Sequence, residues 1–208
     1  KPEAYGVTQG WGMFRIRGEV PALFETADGR AMFFTEGQSQ YLDVIDDQSN
    51  GYFVEKWTNL TDVGEAASNT VDGGVDTDFP LFRLADVYLM LAESVVRGGQ
   101  GSDRATALGY VNLLRQRAFG NDSGNIQEGE MTPDFILDER ARELAGEYVR
   151  WTDLKRTHTL VEYATKYNED GIKESAMIGP DGKYKILRPI PQAAIDLNQA
   201  KVTQNPGY

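Results

Sequence analysis

Between Leu81 and Arg97 apolar residues recur at helical spacing with almost no interruption. Leu81, Leu84, Ala85, Tyr88, Leu91, Ala92 and Val95 follow the i, i+3, i+4, i+7 rule of an amphipathic helix. Phe82, Val87, Leu89 and Val96 fill much of the remaining circumference, leaving Arg83, Asp86, Glu93 and Arg97 as a narrow polar stripe. Such a helix needs cover on most sides, so its neighbours dominate what the chain can fold into. Pro80 suits a first helical turn, where its missing N–H costs nothing, and the helix is predicted to open there. Gly98-Gly99-Gln100-Gly101 stops it, and Ser102 is the candidate cap of a second helix with Ala107, Val111, Leu114 and Ala118 on one face. A linker this short predicts a helical hairpin.

Thr132-Pro133-Asp134 starts a third helix, combining a hydroxyl cap, a first-turn proline and an acid favoured by the helix dipole. Its expected apolar face is Leu137, Ala141, Leu144, Ala145 and Tyr148, and a fourth helix through Trp151 to Tyr163 would complete a second hairpin. The fold class is therefore mainly α, with tetratricopeptide-like helical hairpins over 80–163. Residues 1–79 are rich in Gly, Asp, Asn, Thr and aromatics and read as a loop-rich part with minor β content. Its β-prone runs are Gly29–Thr35 and Gly51–Trp57, with a short helix around Val20–Glu25 and an exposed polar loop over Asn59–Asp78. Residues 164–208 read as a hairpin around Asp181-Gly182 and a short helix over Pro191–Leu197, packing on the scaffold. A length of 208 residues suits one large domain or a domain with an appended subdomain.

A net charge of −11 repels phosphate backbones and argues against a nucleic-acid partner. Without cysteine there is no disulfide framework, thiolate metal site or thiol nucleophile. No stretch approaches the ~18 apolar residues of a membrane helix.

Few residues offer catalytic chemistry. Asp138-Glu139-Arg140-Ala141-Arg142-Glu143 is the densest charge cluster, but adjacent helix positions point ~100° apart, whereas a glycosidase acid and base face one substrate. Asp138 with Arg142 at i, i+4, and Arg140 with Glu143 at i, i+3, are read instead as structural ion pairs tying this helix to itself and its neighbours. His158, the single histidine, follows Lys155-Arg156 and is read as a surface residue. Asp46-Asp47-Gln48-Ser49-Asn50-Gly51 resembles a calcium loop, yet Trp57 stands where an EF-hand places its closing Glu, so an Asx-rich turn is preferred. No cofactor or metal is implied. The aromatics of the first part suit sugar rings, whose C–H faces stack on flat side chains while neighbouring polar groups bond the hydroxyls. Trp11, between Gly10 and Gly12 with Gln9 and Arg15 close by, is the first candidate, followed by Tyr5, Tyr52 and Trp57.

In order and spacing, the motifs resemble the C-terminal portion of the SusD/RagB family of outer-membrane nutrient-binding lipoproteins. The series runs through Leu23-Phe24-Glu25, Asp28-Gly29-Arg30, the stretch from Phe82 to Ser94 and the stretch from Ala107 to Ala118. It continues through Ile136 to Glu147, Arg150 to Arg156, Pro189-Ile190-Pro191-Gln192 and the tail from Gln204 to Tyr208. The resemblance implies a tetratricopeptide-like scaffold, non-catalytic capture of glycan and delivery to a SusC-like TonB-dependent transporter. It also implies a lipid anchor on an N-terminal segment absent from this chain. A missing N-terminal part of the same protein would then cover the Leu81–Arg97 helix, and residues 1–208 alone are expected not to make a self-sufficient fold. Readings from other classes are a carbohydrate-active enzyme and a peptide-binding repeat scaffold.

Overall fold

The computed structural model describes residues 2–10, 12, 14–67, 74–75, 77–78, 80–167, 173–199 and 201–208. The chain divides into two compact units, Lys1–Arg150 and Trp151–Tyr208.

In the first unit three short strands form an antiparallel sheet. Strand β3 (Tyr52–Val54) lies between β1 (Arg15–Ile16) and β2 (Phe33–Phe34), with Arg15 and Phe34 both opposite Phe53. Aromatic side chains fill it: Phe33 takes Phe24 edge-on at 5.2 Å and lies 6.4 Å from Tyr52. The strands are shorter than the β-prone runs that contain them, β1 was not anticipated, and the expected helix near Val20 is a single 3-10 turn, Pro21–Leu23. Within the expected loop over Asn59–Asp78, Leu60 and Ala66 form an antiparallel bridge, while Asp72 and Gly73 lie outside the described residues.

Helix α1 spans Leu84–Val96, α2 Arg104–Phe119 and α3 Pro133–Glu143. Ala85, Leu89 and Ala92 of α1 meet Ala107, Val111 and Leu114 of α2, with Ile126, Met131 and Ile136 closing the core. Tyr88 and Tyr110 stack at 4.3 Å along this hairpin. Helix α1 opens three residues after Leu81 because Arg83, its N-cap, has extended backbone and sends its guanidinium to Glu143 and Glu147. Asp103, not Ser102, caps α2 by accepting from the Thr106 N–H, and Gly120 ends it at φ 71°, a left-handed position that suits glycine. Thr132 caps α3 as expected, its hydroxyl accepting from the Phe135 N–H. That helix stops at Glu143, so the expected apolar run does not reach Tyr148, whose side chain is 74% exposed. Left-handed backbone at Gly146 and Tyr148 breaks the helical course.

The second unit holds α4 (Arg150–Arg156, which begins at the unit boundary), α5 (Leu160–Lys166), α6 (Glu174–Met177) and α7 (Gln192–Leu197). A single fourth helix was expected where α4 and α5 stand. The Thr159 N–H donates to Leu154 and the His158 N–H to Lys155, closing α4 with His158 at φ 62° in the left-handed position of a Schellman-type end. The terminal hairpin reduces to one bridge, Ile178 to Tyr184, and Gln204 clamps both backbone groups of Ile190. Among the described residues no helix is long and apolar enough to cross a membrane.

Candidate ligand-binding site

Helix α3 carries carboxylates on its buried side, and ionised carboxylates are tolerated there only with cationic partners. Glu139 is wholly buried and accepts from Arg30 at 2.7 Å, Arg115 at 3.0 Å and Arg142 at 2.7 Å. Glu143, one turn on, accepts from Arg83 at 2.7 Å, Arg117 at 2.6 Å and Arg30 at 3.1 Å. Asp28 grips Arg30 from the other side at 2.7 Å. Burial alone would raise the Glu139 carboxyl, but the charges of Arg142 and Arg30 outweigh it and hold the group below the usual carboxylate range. Glu143 is held low in the same way, with hydrogen bonds from Arg117 and Arg83 overcoming burial.

Of the four residues read as structural ion pairs, Arg142 and Glu143 belong to this network, but with partners other than the Asp138 and Arg140 that spacing suggested. Arg142 meets Glu139 at i, i+3 and its guanidinium covers Phe135 at 5.4 Å, while Arg140 reaches Asp86 of α1 at 2.6 Å. Asp138 lies 3.8 Å from Arg150. Arg30, Arg83 and Arg115, the cationic partners of Glu139 and Glu143, were not singled out as site residues. Arg30 sits in the Asp28-Gly29-Arg30 motif, and that motif was the only signal available for it.

Above Glu143 opens a cleft of about 330 Å³ lined by Gly29, Met32, Lys56, Arg83, Arg117 and Glu143, among others. Lys56 donates to the Glu143 carbonyl at 2.7 Å and to the Glu147 carboxylate. Burial pushes the Lys56 ammonium below its ordinary value despite Glu147. Arg117, 54% exposed, reaches Glu143 through Nη2. The cleft is thus lined by cationic side chains that are themselves bonded to Glu143 and Glu147.

The predicted aromatics are spread along the first part. Tyr5 donates its hydroxyl to Glu55, and that bond, ahead of burial, pushes the phenol up to about 12. Tyr52 packs within the sheet beside Phe33. Trp57 is 44% exposed and donates its indole N–H to the Gly146 carbonyl at 3.3 Å. Trp11 lies outside the described residues. In the Asp46–Gly51 turn, Arg15 reaches the backbone carbonyls of Ile45, Asp47 and Asn50 through Nη1 and Nη2. A side-chain guanidinium therefore takes up carbonyl oxygens that a cation could have used. Among the described residues no group of three or more His, Asp or Glu is placed to hold a metal. His158 is exposed and terminates a helix.

Starch-binding protein SusD of Bacteroides thetaiotaomicron is 34% identical over 168 residues, covering 80% of this chain and 28% of that protein. SusD-like protein P38 of Formosa agariphila is 34% identical over 110 residues, half of this chain and 22% of that one. A solved laminarin-binding SusD-like protein superposes with a TM-score of 0.65 at 26% identity, over 99% of this chain and 41% of the other. The chain thus spans less than a third of the length of these two sequence relatives. Residues 34–208 match the SusD family, and with these relatives the match places the chain in that family.

Proposed function

We propose that the chain takes part in capturing a glycan at the cell surface, as part of a lipid-anchored outer-membrane protein, and in passing it unhydrolysed to a SusC-like TonB-dependent transporter. The observation that carries this reading is the family match together with relatives named for binding starch and laminarin. The chemistry supports binding without cleavage. Glu139 and Glu143 are each locked by guanidiniums and held ionised, whereas a glycosidase needs one carboxyl kept protonated beside its substrate. Aromatic side chains in the first part, Trp11 foremost with Tyr5, Tyr52 and Trp57, offer faces for sugar rings.

Calorimetric titration with soluble starch and laminarin, coupled to an assay for new reducing ends, tests the reading. Saturable heat with no reducing ends is expected. Product release, or no binding to either glucan, overturns it. Co-purification of a TonB-dependent transporter with the tagged protein from outer membranes tests the delivery step.

A further inference from the structure

Glu143 is shared by more positive charge than it can neutralise. Its buried carboxylate accepts from Arg117 at both oxygens, 2.7 and 2.6 Å, from Arg83 at 2.7 Å and from Arg30 at 3.1 Å. Arg30 has Asp28 and Glu139 as further partners, and Arg83 has Glu147, which also serves Lys56. Among the described residues no carboxylate other than Glu143 reaches Arg117. Guanidiniums gathered on one carboxylate repel each other, and a second anion beside Arg117 would relieve that repulsion.

The surplus charge stands where a ligand can reach it. Arg117 is half exposed and only its Nη2 is engaged, so Nε and Nη1 remain as charged donors with no protein acceptor among the described residues. It lines the cleft together with Arg30, Lys56 and Arg83, and Glu143 is the one carboxylate among the described lining residues. The Lys56 ammonium bonds the Glu143 carbonyl and Glu147, which leaves its third N–H for a further acceptor. Burial pushes that ammonium below its ordinary value and the charge of Arg83 adds to the push, although Glu147 opposes it. A volume of about 330 Å³ lies at the small end of ligand pockets, roughly 300–1,000 Å³, and suits one sugar unit. The chain as a whole carries −11, so an anion held here is recognised by the cleft and not by the general field of the protein.

We infer that the cleft is an anion subsite, in which Arg117, assisted by Lys56, binds an oxyanion, carboxylate or sulfate, borne by a sugar unit of the captured glycan. The inference rests on the glycan-binding reading and names a substrate class for it, acidic saccharides in preference to neutral ones. Bonds from a guanidinium to an ionised oxygen are shorter and stronger than bonds to a hydroxyl. A neutral hydroxyl could accept the same N–H groups, but it would leave the charge on Arg117 uncompensated.

Calorimetric titration of the 208-residue chain tests this with soluble starch and laminarin, each in three forms: unmodified, oxidised at C6 to the uronate, and sulfated. An acidic form should bind roughly tenfold more tightly than its neutral parent, as expected for a hydrogen bond to a charged group, and the gain should shrink as salt is raised. A gain confined to the uronate or to the sulfated form identifies the oxyanion. Arg117→Gln should bind neutral and acidic forms equally, while Arg117→Lys should keep part of the gain. Met32→Glu, which puts a carboxylate into the cleft lining and leaves every guanidinium in place, should abolish the gain as well. Equal affinity of the wild type for neutral and acidic forms overturns the subsite and leaves the glycan reading standing. So does a gain that survives in folded Arg117→Gln or, where that variant does not fold, in Met32→Glu. Binding of an acidic form alone upholds the subsite, and no binding of any form of either glucan overturns both readings.

Discussion

Arg30 and Glu139, separated by 109 residues of chain, meet at 2.7 Å with side chains only 7% and 0% exposed. This contact ties the Asp28-Gly29-Arg30 turn of the loop-rich part to α3, and through Arg115 and Arg142 the same carboxylate holds α2 and a second turn of α3. Breaking one member of a buried charged set leaves the others desolvated and unpaired, which costs about 3–5 kcal/mol. Arg30→Met and Arg142→Ala should each lower the melting temperature by roughly 6–20 °C. Calorimetry checks this. An Arg142→Ala variant that melts with the wild type but loses glycan binding would move the residue from fold to ligand.

Acid should unfold the protein through the same groups. Asp28, Glu139, Glu143 and Glu147 all have carboxyls held below their ordinary values, burial opposing and arginine or lysine partners prevailing. A folded value lower than the unfolded one contributes stability that is present above the unfolded value, about 4, and is lost as pH falls through the folded value. Melting temperature should be nearly flat from neutral pH down to about pH 5 and should then fall steeply. A melting temperature unchanged at about pH 3 would show that these carboxylates are not paired in solution.

What could be read from the sequence was local. The Thr132 cap, the Pro133 start and the apolar face of α2 depend on residues within a turn or two, and the structure reproduces them, whereas the face expected of α3 outruns a helix that ends at Glu143. What could not be read depended on partners far along the chain. Arg83 fits helical spacing as well as any residue around it, but Glu143, sixty residues away, draws it out of the helix and delays the start of α1. Tyr148 likewise fits the α3 period, but α3 ends at Glu143 and left-handed backbone at Gly146 and Tyr148 takes the residue off the helical face. Of the aromatic candidates, Trp57 was named from composition alone; its exposure and its bond to Gly146 become visible only once strand β3 is placed. In the Asp46–Gly51 turn nothing local pointed to Arg15, more than thirty residues upstream, as the donor to its carbonyls.

Tyr5 offers a spectroscopic check on the loop-rich part. Its hydroxyl donates to Glu55, and ionising the phenol beside that carboxylate is unfavourable, which pushes it up to about 12. An ordinary tyrosine titrates near ~10. The last phenol to ionise in an ultraviolet titration should be lost in Tyr5→Phe and should move back toward ~10 in Glu55→Gln. Identical titration curves for wild type and Glu55→Gln would show that the bond does not form.

Trp11 remains the first sequence candidate for a ligand contact. Truncating a stacking aromatic typically costs about 1–3 kcal/mol of binding. Trp11→Ala should therefore weaken glycan affinity while circular dichroism stays unchanged. Undiminished affinity removes Trp11 from the site.

The outer face of α1 carries the last expectation. Its inner positions Ala85, Leu89 and Ala92 are buried, but Leu84, Val87 and Met90, three residues apart, are exposed on the opposite side, and Leu81 and Phe82 just before the helix are exposed as well. Single exposed apolar residues are ordinary, but a contiguous face of this kind is rarely left open on a soluble monomer. Water-exposed leucine, valine and methionine each gain on the order of 1.5–3 kcal/mol when fully covered, so even partial cover drives association. The 208-residue chain should sediment as more than a monomer at micromolar concentration or bind a hydrophobic dye. Val87→Glu, which places a charge in the middle of the face without touching the buried side, should reverse both behaviours and leave the helical circular dichroism intact. A wild-type chain that is monomeric, binds no dye and melts in one sharp two-state transition would show that the scaffold closes within these residues, with α1 needing no further cover.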